Sequence, residues 1–131
     1  MSYNVILTKF SEVKSGEYTE KDSQNIETTL MPKELFEQFN ESYLTLIEIY
    51  EENMEDKYEE KIVQEDKINE LLVEIKRIVT EKMKVIVNGD LSNEDEDKEL
   101  NDVRVVLNLR NILIQKIEKY NEDKNVMLVV G

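Results

Sequence analysis

From Lys33 to Asn88 the chain has neither Gly nor Pro, and its apolar side chains recur at steps of mostly three and four. Leu35, Phe39, Tyr43, Leu46, Ile47, Tyr50, Met54, Tyr58 and Ile62 form a first run. Ile68, Leu71, Leu72, Ile75, Val79, Met83 and Ile86 form a second. That period predicts helix. Pro32 is favoured at a first helical position, and Glu34 sits at the positive end of the helix dipole. One helix over these residues would reach about 84 Å, with little in a single domain to pack against. The pattern therefore predicts a break between Glu51 and Lys61, where apolar residues thin out; an unbroken helix would require an elongated oligomer. Gly89 is a natural stop, and Lys84 to Val87 alternatively reads as a short strand.

The flanks have a different pattern. Asn4 to Phe10 is β-branched and apolar enough for a strand. Ser15-Gly16 signals a turn, Glu17 to Thr19 a returning strand, and Asn25 to Leu30 a further short one. Leu91 to Asp97 reads as an acidic loop. Ser92 or Asn93 caps a last helix that runs to about Asn121, with Glu94, Asp95 and Glu96 at its positive end. Asn125 to Val130 reads as a strand that pairs with the N-terminal one. The expectation is an α+β fold in a single domain, 1–131. It comprises a small β region (1–31), a helical part (32–122) and a C-terminal strand (124–130). Two or three long helices would pack with a small sheet formed by the N- and C-terminal strands. The apolar stripe over 35–86 further predicts self-association, as a homodimer or higher homo-oligomer.

Composition narrows the chemistry. The 131 residues hold 30 acids against 17 bases, for a net charge of −13, and include no His and no Cys. The common acid/base near neutral pH, the thiolate nucleophile and the usual zinc ligands are thus absent. The expectation is a protein that is not an enzyme and carries no cofactor and no metal. The charge argues against direct nucleic-acid binding and against anionic membranes; it favours basic protein partners. No run of about 18 apolar residues occurs, so no membrane span is expected. Met1 to Leu7 lacks the basic leader of a signal peptide. Absence of Cys fits a reducing compartment, and the expected location is cytoplasmic. Abundant Ile, Lys, Asn and Glu is the usage of a low-GC bacterium or its phage.

Four constellations bear on function. On a helical wheel of residues 100–122, Asn101, Arg104, Asn108, Asn111, Gln115, Glu118 and Lys119 share a polar face. Val103, Val106, Leu107, Leu113, Ile114 and Ile117 surround Arg110. A guanidinium in an apolar arc needs a partner or must reach water. Arg110 therefore reads as an ion-paired or snorkelling side chain, or as an anchor for an anion. The run Glu51, Glu52, Glu55, Asp56, Glu59, Glu60 would set like charges at i,i+4 on a helix. It reads as a solvated face, or as a docking surface for a basic protein that normally holds nucleic acid. Asn88 to Glu99 superficially resembles a calcium loop, but position one is Asn, position six is not Gly and Asp95 stands at position eight. Glu51-Glu52 with Glu99-Asp102 resembles a magnesium-holding acidic pairing, at a separation too long for one compact site.

The leading functional expectation is a non-enzymatic acidic inhibitor, of the kind found among phage counter-defence proteins. It would dock on a basic, nucleic-acid-handling protein through Glu51, Glu52, Glu55, Glu59 and Glu60. A second is an oligomer holding a small anion such as a nucleotide through Arg104, Asn108, Arg110 and Asn111. A third is a structural subunit whose role is assembly.

Overall fold

Within the segment with helical spacing, residues 44–63 fold as a β-hairpin. The computed structural model describes residues 2–38 and 41–131. Its strands are β1 (Ser2–Lys14), β2 (Glu17–Pro32), β3 (Leu44–Tyr50), β4 (Lys57–Val63) and β5 (Val126–Val130). Its helices are α1 (Lys33–Gln38), α2 (Ile68–Asn88) and α3 (Asn93–Lys119). The five strands close into a barrel in chain order, with β5 returning to β1. The expected architecture of long helices with a small terminal sheet is thereby corrected. Among the described residues, long helices occur only over 68–119, and they cover the outside of a closed barrel.

A ring with an odd number of strands cannot alternate direction throughout, so one neighbouring pair must be parallel. That pair is β2 with β3, linked by a crossover through α1. It spans only Tyr18↔Ile49 and Thr19↔Tyr50. The β4–β5 seam is equally short, Lys61↔Val130 and Ile62↔Val129. By contrast, β1 and β2 pair from Ser2↔Pro32 to Lys14↔Glu17, with three register shifts that curl the hairpin around the barrel.

The β3–β4 hairpin explains the misleading period. Leu-Thr-Leu-Ile-Glu-Ile-Tyr (44–50) is rich in branched and aromatic side chains that suit a pleated surface. Its turn uses neither Gly nor Pro. The Asn53 side-chain oxygen accepts from the backbone N–H of Glu55 (2.9 Å) and Asp56 (3.1 Å), and Met54 takes a left-handed φ of 63°. The apolar stripe over 35–86 is therefore not one surface. Tyr58 and Ile62 join the barrel interior, Ile68, Leu71 and Ile75 the helix–sheet core, and Phe39 lies outside the described residues.

Strand alternation divides the core. Along β5, Met127 and Val129 face the interior with Phe10, Tyr18, Ile47, Ile49, Tyr58 and Ile62. Val126, Leu128 and Val130 face outward and pack with Val5 and Leu7 against Ile75 and Ile78 of α2 and Leu109, Ile112 and Leu113 of α3.

The C-terminal part follows the sequence reading closely. Gly89 ends α2 with φ 73°, and Ser92 Oγ accepts from the Asp95 N–H at 3.2 Å to start α3. Lys84 to Val87 is helical rather than a strand. Asn93 to Glu99 is also helical, so no twelve-residue calcium-type loop exists there. β5 pairs with β1 from Val5↔Val130 to Lys9↔Val126. Among the described residues, no helix is long and apolar enough to cross a membrane.

Candidate functional site

The acids expected to line one helix face lie instead on the β3–β4 hairpin. Glu52 and Glu55 are exposed in its turn, and Glu51 is half-buried at the end of β3. On β4, successive side chains point to opposite faces, which separates Glu59 from Glu60. Glu59, opposite Glu48, is exposed on the outer face. Glu60, opposite Ile47 and between Tyr58 and Ile62, is half-buried on the interior face. The i,i+4 rows of like charge do not form, because the backbone there is extended.

Barrel closure adds a residue that sequence reasoning missed. Glu20 leaves β2 on the face of Tyr18. One of its oxygens accepts from the Glu52 N–H at 3.3 Å, and the other accepts from the Tyr58 hydroxyl at 3.0 Å. Burial raises the Tyr58 phenol above its ordinary range, and the bond to Glu20 and the charges of Glu20, Glu60 and Glu51 raise it further. Burial likewise raises the Glu60 carboxyl, with the Glu20 charge adding to it. Glu20, Glu51, Glu52, Glu55, Glu59 and Glu60 take part in none of the ion pairs among the described residues. The nearby Lys57 is engaged on the outer face, 3.5 Å from Glu48 and 4.6 Å above the Tyr50 ring.

Several acids elsewhere have intramolecular roles. Glu94, Asp95 and Glu96 occupy the first turn of α3, where the helix dipole favours them. Glu99 and Asp102 hold Lys82 at 2.9 and 3.5 Å, so neither is shared with the hairpin acids. Among the described residues, no group of three or more acids forms a metal-binding cluster.

The cation buried on α3 is Lys116. Arg110 is exposed, because the buried face runs through Val103, Val106, Leu109, Ile112 and Leu113 to Lys116, rotated away from the expected arc. Contact with both α2 and the sheet broadens that face and shifts its centre. Lys116 Nζ donates to the carbonyls of Tyr120 (2.9 Å) and Asp123 (3.0 Å) and lies 3.4 Å from a Glu65 oxygen. Arg104, Asn108 and Asn111 are exposed with Arg110, and Arg104 donates to Asn101 Oδ1 at 2.8 Å.

Beside Lys116 is a cavity of about 270 Å³ where β4 and β5 separate beyond their short seam. Tyr18, Ile47, Ile62, Ile68 and Met127 supply apolar wall, and Glu65, Lys116 and Lys124 supply charge. Burial raises the Tyr18 phenol, as do the charges of Glu12 and Glu65. The interior of the barrel thus has an acidic end, at Glu20, Tyr58 and Glu60, and a lysine-bearing end past Ile62. Comparison with known protein families, with curated proteins and with solved structures finds no match.

Proposed function

We propose that this chain is a non-catalytic binding protein that docks its hairpin acids on a basic protein, of the kind that handles nucleic acid, and blocks it. One observation carries the reading: among the described residues, six acids of β2 and the β3–β4 hairpin have no cationic partner, while Glu60 is half-buried beside Glu20. A half-buried carboxylate next to another is unfavourable unless a cation comes to it. An Arg or Lys from a partner would relieve that repulsion. The hairpin turn presents Glu52 and Glu55 outward, and opposite charges would steer the encounter.

The test is capture from host lysate by the wild type and by a variant with Glu51, Glu52, Glu55, Glu59 and Glu60 all changed to Gln, followed by rebinding of the purified captured protein. The expected result is a basic protein held at low salt, released at high salt, and bound far more weakly by the variant. A partner that binds both forms equally, with no salt dependence, would refute the reading.

A further inference from the structure

The charge balance of the cavity beside α3 is the reverse of the chain's. Its lining has two lysines and one glutamate, Lys116, Lys124 and Glu65, in a chain of 17 bases and 30 acids. Lys116 is already held by two carbonyls and by Glu65. Lys124 is exposed at the rim and takes part in none of the ion pairs or hydrogen bonds among the described residues. Glu65, whose side chain is 56% exposed, already brings a carboxylate oxygen to 3.4 Å from the Lys116 ammonium. It marks where a carboxylate meets this cavity. Below it the wall is Ile47, Ile62, Ile68 and Met127, a surface that water wets poorly.

We propose that this cavity binds a medium-chain aliphatic carboxylate, with its tail between Ile47, Ile62 and Met127 and its carboxylate at Lys124. A volume of about 270 Å³ has room for a short or medium aliphatic chain and not for a long one. Lys124 is free to pair with the headgroup, and Lys116 adds attraction from behind. The Glu65 carboxylate competes for the same position.

The test uses the whole chain and sodium octanoate below its micelle concentration, followed by calorimetry and by methyl NMR of Ile47, Ile62, Ile68 and Met127. Saturable binding is expected, with methyl shifts confined to residues that line the cavity, Val63, Val126 and Leu128 included. Affinity should rise about fourfold per added methylene until the cavity is filled and then level off. Lys124→Glu should weaken binding at least tenfold, and Glu65→Gln should tighten it. Ile62→Trp fills the cavity and should abolish binding with an unchanged circular-dichroism spectrum; if it unfolds the chain, Met127→Trp takes its place. Octylammonium binding as tightly as octanoate would overturn the proposal, as would shifts elsewhere or no saturation.

Discussion

The buried ammonium of Lys116 allows the packing of its stem to be separated from its charge. Its side chain is 5% exposed. The two carbonyls it bridges each keep another donor, since the Asp123 N–H reaches Tyr120 at 3.1 Å and the Val126 N–H reaches Asp123 at 3.2 Å. Lys116→Met keeps most of the stem. It loses two charge-assisted bonds, worth about 1.5–3 kcal/mol each, and removes an ammonium whose desolvation costs several kcal/mol. The net loss should be about 1–2 kcal/mol. Lys116→Ala also removes about three buried methylenes at roughly 0.8 kcal/mol each, for a total of about 3–4 kcal/mol. Glu65→Ala should cost less than about 1 kcal/mol, because its carboxylate is mostly solvated. Urea unfolding followed by circular dichroism at neutral pH measures all three. Hydrogen exchange should show the amides of 120–126 opening in both Lys116 variants. Equal costs for Glu65→Ala and Lys116→Met would refute the claim that backbone carbonyls, not the carboxylate, hold this lysine.

Glu60→Gln should stabilise the fold at neutral pH. The folded-state carboxyl is raised, so the folded protein binds more protons than the unfolded chain just above the ordinary Glu range. Wild-type stability from this group therefore falls as pH rises from about 4.3 through the raised value. The advantage of the variant should grow over that window and stay below about 1 kcal/mol, since the group is only half-buried; an advantage that shrinks with rising pH would contradict the assignment. Ser92→Ala should cost about 1 kcal/mol by removing the cap on the Asp95 N–H, seen as a lower urea midpoint at constant slope; no change in midpoint would deny the cap its role.

Elements whose signals are local were legible from sequence. Gly89 and Ser92 stop one helix and start the next through their own backbone preference and side-chain oxygen. The apolar spacing Ile68–Leu71–Ile75 predicts α2 because each position packs through neighbours on the same helix face. Asn125 to Val130 reads as a strand from its branched apolar side chains, and the expected pairing with β1 is present. The acidity of the hairpin and the lack of His and Cys were plain from composition.

What required the tertiary structure depends on distant partners. Tyr50, Met54, Tyr58 and Ile62 are four apart, as on a helix, yet Met54 is in a turn and Tyr58 and Ile62 point into a barrel. A turn made by an Asn side chain leaves no Gly or Pro signal, so pairing of β3 with β4, and of the hairpin with β2 and β5, determines that residues 44–50 and 57–63 are strands. Glu20, 38 residues from Tyr58 in sequence, joins its acids only when the ring closes. On α3, contact with α2 on one side and the sheet on another turns Lys116 inward and leaves Arg110 in solvent. Periodicity shows that a face exists, but the direction it points is a property of what packs against it, and that energy is non-local.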